Sequence, residues 1–335
     1  MDHPFSAEPR SRLGLQVIRR GIAAALAALA AACSNNADPT PQQSACDVSI
    51  YVLGVAQDAG KPQIGNPDDP AWADPSLRRL ATSLALIDAR GDAPKRWLFE
   101  ATPNITEQLQ RLDERVPTEA SPGLSGVFLT HAHIGHYAGL ILLGHEGAGA
   151  QNVNVYAMPR MADYLAQNGP WSQLVKYHNI ILAIMADGQP EQVADDITVT
   201  PFLVPHRQEF SEVVGFRIEG PNKSALFIPD IDSWEDWDAE GTRIEDMIAS
   251  VDIAYLDATF YANGEIPGRD MSGFPHPFVS HSMERFKDLP ATEKAKVRFI
   301  HMNHTNPLHN PNGPERKTVL ENGFNIANEK EEICL

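Results

Sequence analysis

Three histidines lie within six consecutive positions in the segment "THAHIGHYAGL" (130–140). His131 and His133 are two positions apart, so in an extended segment their side chains point to the same side. His136 follows three positions later, where "HYAGLILL" predicts the start of a helix that turns its side chain back toward the same point. Neutral imidazoles bind zinc, iron and related cations, and a catalytic site keeps one position open for water. The cluster therefore predicts a metal site, and the lack of a nearby cysteine excludes a Cys₂His₂ zinc finger.

Five apolar runs each end in a residue that binds metals or protons. They are "GVFLT" before His131, "PFLVP" before His206, "ALFIP" before Asp230, "IAYL" before Asp257 and "VRFI" before His301. Continuous apolar runs are typical of strands that are buried on both faces. In α/β architectures the strand ends and the loops after them form the functional rim. We therefore expect these five side chains to converge on one site.

The remaining pattern predicts short strands that alternate with helices, which indicates an α/β or α+β core. Strands are predicted for residues 48–56, 83–88 and 96–101. A helix is predicted for residues 104–116, because its apolar residues are spaced by three and four positions along one face. Two long loops rich in glycine and proline, 58–75 and 260–281, are expected to border the mouth of the site.

Acidic residues outnumber basic residues 44 to 27 among the 335 residues, for a formal net charge of −17. This balance argues against a nucleic acid as the main partner, because phosphate contacts need a basic surface. A small anionic substrate remains compatible with it, since a metal ion supplies positive charge locally. We therefore expect a small-molecule substrate, and the sequence leaves the oligomeric state open.

The first 33 residues are expected to be an export signal. Arginines precede the apolar stretch "GIAAALAALAAA", which is too short to span a bilayer and ends at Cys33. The ending "LAAAC" resembles a bacterial lipoprotein signal, in which the cysteine is lipidated; an ordinary secretory signal is the alternative. Residues 34–45 are polar and predict a flexible tether before a single domain at 46–335. The mature protein is expected in the periplasm, or anchored to the outer membrane by its lipid.

Two further cysteines, Cys46 and Cys334, stand at the two ends of the predicted domain. Outside the cytoplasm a leftover pair of cysteines favours a disulfide. Such a bond would attach the C-terminal tail to the first strand. A zinc–thiolate role is not expected, because neither cysteine is near a histidine.

Four motifs, in order along the chain, resemble the metal-binding motifs of the metallo-β-lactamase superfamily: "THAHIGHYAGL", "VPH", "FIPD" and "FIH". Three more, "VLGVAQDAGKPQ", "YLDATF" and "HMNHTNP", resemble the pyrroloquinoline-quinone biosynthesis B proteins and their relatives. The resemblance covers roughly residues 48–310. It implies an α+β fold, a four-layer αββα sandwich with a dinuclear metal site at one edge of two packed sheets.

The resemblance also implies roles for individual residues. The implied ligands are His131, His133 and His206 for a first cation, His136 and His301 for a second, and Asp230 as a bridge between them. Asp257 and Glu100 stand where relatives place supporting acids, which orient the ligand imidazoles. Zinc is the expected cation, and iron or manganese would suit the same ligands. The residues expected to take part in catalysis are Asp230, Asp257 and His304.

Gly135 departs from the superfamily pattern His-x-His-x-Asp-His, because it replaces the aspartate that binds the second cation. We therefore expect one tightly bound zinc and a second that is weaker, or completed by a residue distant in sequence. Three candidates lie in segments that overlook the site in relatives: His304, Asp58 and His281. Tyr137 is expected beside the metals as a proton donor, with packing as the alternative. The other histidines, His3, His145, His178, His276 and His309, are expected to be surface or structural residues.

These observations predict a metal-dependent hydrolase that uses a metal-activated water to cleave an ester, lactone, amide or phosphodiester. One alternative is an iron-dependent redox enzyme with the same ligands. Another is a lipoprotein that binds a metal or a ligand without catalysis, which the loss of the aspartate at position 135 would permit. Hydrolysis of β-lactams is not expected, and the quinone-biosynthesis role is not transferred, because fold kinship does not fix the substrate.

Overall fold

The structure is a computed structural model that describes residues 46–335. The predicted export signal, Cys33 and the tether at 34–45 lie outside the described residues. Among the helices of residues 46–335, none combines the length and the apolar character that a bilayer-spanning segment needs.

The described chain is built around two mixed β-sheets of seven strands each. In chain order the strands are β1 (Val48–Gly54), β2 (Ser83–Asp88), β3 (Lys95–Phe99), β4 (Gly126–Phe128), β5 (Val153–Ala157), β6 (Ile180–Ile184), β7 (Glu191–Ala194), β8 (Ile197–Leu203), β9 (Val214–Glu219), β10 (Ser224–Ile228), β11 (Ile253–Asp257), β12 (Val297–Ile300), β13 (Asn325–Ile326) and β14 (Glu332–Cys334). The first sheet has the order β14-β1-β2-β3-β4-β5-β6, and the second has the order β13-β12-β11-β10-β9-β8-β7.

The helices lie between these strands along the chain. They are α1 (Ile105–Arg115), α2 (Ile134–Tyr137), α3 (Pro159–Gln167), α4 (Trp171–Lys176), α5 (Trp234–Ala239), α6 (Ile244–Ala249), α7 (Val279–Arg285), α8 (Ala291–Lys294) and α9 (Pro314–Glu321). Short 3₁₀ turns occur at Pro70–Trp72, Pro75–Leu77, Ala138–Leu143 and Pro307–His309. The predicted helix at 104–116 is confirmed as α1, and the strands predicted at 48–56, 83–88 and 96–101 are confirmed as β1, β2 and β3.

Side chains that alternate along the strands divide the interior into layers. Ile50 and Val52 of β1 belong to the core between the sheets, whereas Tyr51 and Leu53 belong to a second core that includes residues of α1, α3 and α4. Helices α5, α6 and α9 add apolar side chains on the side of the second sheet. The predicted four-layer αββα sandwich is therefore confirmed.

An aromatic cluster joins the two sheets. Phe99 of β3 stacks on Phe128 of β4 with ring centroids 4.9 Å apart. Phe216 of β9, in the other sheet, meets both rings edge-on at 5.5 and 5.6 Å. All three side chains are fully buried, so the cluster fixes the separation of the sheets near the strands that lead into the site.

Strand direction brings the predicted site residues to one edge. In the first sheet β1, β3 and β4 run in the same direction, because β2 is antiparallel to both β1 and β3 and β4 is parallel to β3. In the second sheet β8, β10, β11 and β12 share a direction for the same reason. The carboxyl ends of strands that run alike meet at one edge of a sheet, so the loops after them are neighbours.

The C-terminal strand closes the first sheet. Cys334 pairs with Ser49 in the β14–β1 ladder, and a disulfide joins Cys334 to Cys46, with Cα atoms 5.3 Å apart. Arg115 of α1 donates hydrogen bonds of 2.6 and 2.8 Å to the two carboxylate oxygens of Glu332. The structure thus contains the disulfide that the sequence predicted.

Candidate metal centre

The ends of β4, β8 and β10 bring three imidazoles and one carboxylate together. One nitrogen from each of His131, His133 and His206 and one oxygen of Asp230 all lie within 4.8 Å of one another. The facing atoms are Nε2 of His131 and Nδ1 of His133, 2.8 Å apart, with Nε2 of His206 3.2 Å from the latter. Three nitrogens and one oxygen in this arrangement form the donor set of a four-coordinate zinc site.

A second group lies beside the first and consists of Asp58, His136 and His301, whose ligand atoms also lie within 4.8 Å of one another. His136 occupies α2 and His301 follows β12, and both side chains are buried. Their Nε2 atoms have no hydrogen-bond partner among the described residues, although burial deprives them of water. An unpaired buried polar atom is costly, and a cation would satisfy both nitrogens.

Asp230 lies between the two groups. Its Oδ2 atom is 3.4 Å from Nε2 of His131, 3.3 Å from Nε2 of His206 and 3.6 Å from Nε2 of His136. Its Oδ1 atom lies 3.1 Å from Nδ1 of His276 and makes no hydrogen bond with the other described residues. A carboxylate in this position can bind a cation on either side.

Side chains behind the imidazoles fix their orientation. Thr130 Oγ1 lies 2.8 Å from Nδ1 of His131 and donates to the buried carboxylate of Glu100 at 2.6 Å. Nδ1 of His206 lies 2.6 Å from Oδ1 of Asp232. Partners of this kind select the tautomer that presents the opposite ring nitrogen to a metal.

The same arrangement recurs at His301. Thr259 Oγ1 lies 3.0 Å from Nδ1 of His301 and donates to Oδ1 of Asp257 at 2.7 Å. Asp257 also accepts from the backbone N–H groups of Ile231 and Thr259. Its carboxylate is thus tied to both β10 and β11 at the rim.

His276 is a further buried residue at the site. Its Nδ1 atom lies 2.8 Å from Oδ2 of Asp257 and 3.1 Å from Oδ1 of Asp230. Burial alone would lower the pKa of His276, but the charges of Asp257 and Asp230 outweigh that effect and raise the pKa to about 10. The loop between β11 and α7 places it there, because Val279 N donates to the carbonyl of Phe260 and folds the loop back.

Electrostatics differ among the other imidazoles. Burial lowers the pKa of His131 well below its usual value, and burial also lowers the pKa of His301, so both are neutral donors at pH 7. Burial would lower the pKa of His206 too, but Asp230 and then Asp232 raise it to about 9. Cation binding at this centre would therefore displace protons.

Residues 95–302 match a known family, described as the beta-lactamase superfamily domain, over more than half of the chain. The chain belongs to the β-lactamase superfamily. The predicted resemblance to metallo-β-lactamase-fold proteins is thereby confirmed.

Individual superfamily members extend this relationship over most of the chain. The coenzyme PQQ synthesis protein B of Cupriavidus necator is 26% identical over 317 residues, which cover 86% of this chain and 99% of the relative. The zinc-bound crystal structure of PqqB from Methylobacterium extorquens superimposes with a TM-score of 0.70 at 22% identity, covering 86% of this chain and 100% of that one. A crystal structure of a diphosphatase from the PhnP family gives a TM-score of 0.60 at 22% identity, covering 86% and 98%. At these identities the two structures establish the fold alone.

The structure brings together most of the residues that the superfamily resemblance implies as metal ligands or as their supporting acids. His131, His133, His136, His206, Asp230 and His301 all contribute atoms to the two groups. Glu100 and Asp257 lie behind them with no exposed surface. Asp58 joins the second group, with Oδ1 4.0 Å from Nε2 of His136. The chemistry and spacing of these groups support a metal cofactor for this chain.

Two histidines expected near the metals lie elsewhere. His304 contributes to none of the metal-binding groups of the described residues, because the chain turns after His301 and Asn306 N donates to the carbonyl of Asn303. The carbonyl of His304 instead accepts from Lys61 Nζ at 3.0 Å. His281 is exposed on α7, and its Nε2 atom lies 3.2 Å from a carboxylate oxygen of Glu235. The expectation that either residue would complete the second group is wrong.

Tyr137 also differs from expectation. Its hydroxyl lies 2.9 Å from that of Tyr164, and its ring packs against Trp171 in the core beside α3 and α4. Since it follows His136 directly in α2, the two side chains leave the helix in different directions. Its role is packing, and the proton-donor expectation is wrong.

Sequence reasoning missed several residues at the centre. His276, which is expected to be a surface or structural residue, is 7% exposed and contacts two site carboxylates. Asp232 and Glu209 were not singled out; Glu209 Oε2 lies 3.2 Å from Nε2 of His133. The available signals were the proximity of Asp232 to Asp230 in "PDID" and the position of His276 in a predicted mouth loop.

Proposed function

We propose that this protein is a metal-dependent hydrolase that cleaves a small ester or phosphodiester. The observation that carries the proposal is the pair of ligand groups that flank the carboxylate of Asp230. Many superfamily members are hydrolases of related substrates, and the PhnP-family diphosphatase supports a phosphorus ester over an amide.

The residues fit a zinc centre. The donors are nitrogens and carboxylate oxygens, and two of the buried ones, His136 Nε2 and His301 Nε2, make no hydrogen bond with the described residues. His131, His133 and His206 would hold a first zinc ion, and His136 and His301 would hold a second, with Asp230 shared. When bound, zinc would lower the pKa of a bound water to around 7 and polarise the reacting ester or phosphoryl oxygen.

The protein's own side chains orient the ligand imidazoles and supply a proton to the leaving group. Three carboxylates hold ligand imidazoles in fixed tautomers. Asp232 contacts His206 directly. Glu100 acts on His131 by way of Thr130, and Asp257 acts on His301 by way of Thr259. His276 gives its Nδ1 proton to the hydrogen bond with Asp257, which leaves Nε2 for the substrate. We propose that His276 protonates the leaving-group oxygen, a step that general acids contribute in hydrolysis.

We also propose that the protein is exported and that Cys33 carries a lipid. The Cys46–Cys334 disulfide supports export, because such bonds persist in oxidising compartments and are rare in the cytosol. The relatives named PQQ synthesis protein B do not determine the substrate of this chain, since function depends on the site more than on the fold.

The test is a substrate screen on protein of known zinc content. The panel contains p-nitrophenyl esters, bis(p-nitrophenyl) phosphate, a homoserine lactone and a chromogenic β-lactam. We expect turnover of an ester or phosphodiester that is lost after chelation, regained with zinc and abolished by His206→Ala. A fully loaded protein that turns over nothing on the panel would contradict the proposal and favour a binding protein.

A further inference from the structure

Gly135 leaves a space that another residue fills. A Cβ atom built on Gly135 would lie 2.5 Å from the Cα atom of Asp58 and 2.7 Å from its Oδ1 atom. Non-bonded carbon atoms have their optimal separation at about 3.5–4.0 Å. A side chain at position 135 and the observed position of Asp58 therefore exclude one another.

Asp58 occupies this space with its carboxylate directed at the second ligand group. Its Oδ1 atom lies 4.0 Å from Nε2 of His136. Zinc bonds to nitrogen and oxygen are about 2.0–2.2 Å long, so two ligands of one ion lie within about 4 Å of each other. The distance is thus compatible with one cation held by both residues.

The backbone around Asp58 is fastened to the strand end that carries His301. The N–H of Gln57 donates to the carbonyl of Met302 at 2.8 Å, and the N–H of Gly60 donates to the carbonyl of Gln57 at 3.0 Å. Asp58 adopts a φ of +45°, in the left-handed region that few residues other than glycine adopt and in which aspartate, asparagine and histidine are enriched. Strained residues of this kind persist where the surrounding structure fixes them, and they cluster at functional sites.

The turn that contains Asp58 requires glycine at position 60. Its φ is +85°, and a Cβ atom there would lie 2.7 Å from the carbonyl oxygen of Arg79. The segment "QDAG" (57–60) therefore combines a glycine that permits the turn with an aspartate at the position that faces His136.

We propose that Asp58 is the carboxylate ligand of the second cation, supplied by the loop after β1 in place of a carboxylate at position 135. Gly135 is the complementary half of this exchange, because only glycine admits Asp58 to the site. The inference rests on the metal centre of the proposed function but not on the reaction that the centre performs.

The experiment measures zinc binding rather than activity. Zinc content and the dissociation constant of the second ion are determined by competition with a chromogenic chelator for the native protein, Asp58→Ala, Gly135→Ala and the double variant. Asp68→Ala is the matched control, because it removes an exposed carboxylate from the same loop. Far-UV circular dichroism confirms that each variant is folded.

We expect two zinc ions in the native protein and in Asp68→Ala. Asp58→Ala should retain the first ion and weaken the second more than about 10-fold, since even indirect partners of a ligand contribute 10–100-fold to affinity. Gly135→Ala should have a similar effect by displacing Asp58, and it should add little in the Asp58→Ala background, because both changes remove one interaction.

Three outcomes would overturn the inference. Native second-ion affinity in Asp58→Ala would show that Asp58 is not a ligand, and this variant decides the matter even if Gly135→Ala fails to fold. If the native protein binds a single zinc ion, there is no second cation for Asp58 to bind and the inference fails. The proposed function would still stand, as that of a hydrolase with one metal ion. A native protein that binds no zinc would refute the proposed function together with this inference.

Discussion

The Nδ1 atom of His276 lies 2.8 Å from Oδ2 of Asp257, a carboxylate that also supports His301 through Thr259. A single buried acid thus connects the imidazole of His301, in the second ligand group, with that of His276, the general acid that we propose. His276 differs from the ligand histidines because it belongs to none of the metal-binding groups of the described residues.

This relationship predicts the effect of removing His276. His276→Ala should lower kcat by about 10²-fold or more, the usual contribution of a general acid, while the zinc content stays unchanged. Steady-state kinetics and metal analysis of the same sample measure both quantities. His281→Ala, on the exposed face of α7, is the control and should retain near-native kcat. Loss of zinc from His276→Ala would instead assign the residue to metal binding.

Metal removal should destabilise the fold. A cation that binds only the folded state stabilises it by RT ln(1 + [L]/Kd), about 4.1 kcal/mol when its concentration is 1,000 times Kd. We expect Tm to fall after dialysis against a chelator and to recover with zinc, as measured by calorimetry. The double variant His131→Ala/His206→Ala should show a much smaller shift, and an equal shift would place the stabilising zinc elsewhere.

His309, whose Nε2 atom lies 3.3 Å from the carbonyl oxygen of Met302, leads us to expect that the stability of the fold depends on pH. Burial, followed by the charges of Lys61 and Arg79, lowers the pKa of His309 from its usual value near 6.5 to about 4. Between these values the unfolded chain binds more protons than the folded protein, so stability should decrease as pH falls from 6.5 toward 4.

The difference in Tm between the native protein and His309→Gln isolates this contribution from any loss of metal. His309 Nε2 lies 3.0 Å from the carbonyl oxygen of Asn303, and glutamine can keep a donor there. Between pH 7.5 and pH 5, the Tm of the native protein should fall by more than the Tm of the variant. His145→Gln, at an exposed position, should follow the native protein. Parallel pH curves for His309→Gln and the native protein would contradict the prediction.

The disulfide should stabilise the domain by limiting the unfolded chain. Cys46 and Cys334 are separated by 288 positions, and cross-links that close long loops typically contribute about 2–4 kcal/mol. Denaturant unfolding of Cys46→Ser/Cys334→Ser should show a loss of this size. Reductant should destabilise the native protein and leave the double variant unaffected; equal sensitivity in both would exclude the bond as the cause.

Export makes a prediction that fractionation can test. Full-length protein expressed in a bacterium should sediment with membranes, because a lipid on Cys33 would anchor it. Cys33→Ser should instead appear in a soluble fraction or as an unprocessed precursor. Identical fractionation of the two proteins would contradict lipidation at Cys33.

The sequence predicted most of the ligand set because strand direction enforces it. His131, Asp230 and His301 each follow a buried apolar run, and strands that run alike deliver such residues to one edge. Sequence could not place His276 or His304, because the long loop that carries His276 and the short segment after β12 that carries His304 have no periodic pattern. Their positions depend on tertiary hydrogen bonds such as that from Val279 N to the carbonyl of Phe260.

The position of Asp58 could be predicted only in part from the sequence. Its loop follows β1, which runs in the same direction as β3 and β4, so topology places it at the correct edge. Its position against Gly135 depends on a left-handed backbone conformation, which the residue types alone do not dictate. A composition of glycine and aspartate indicates a turn without showing which way the carboxylate points.

The bond between Cys46 and Cys334 has a topological consequence. Every peptide bond between these residues belongs to one covalent ring, so a single proteolytic cut in an exposed loop such as 261–275 opens the ring without releasing a fragment. Both segments produced by the cut stay attached, and each carries part of the ligand set. A nicked molecule therefore keeps the residues of both ligand groups in one covalent unit for as long as the cystine remains oxidised.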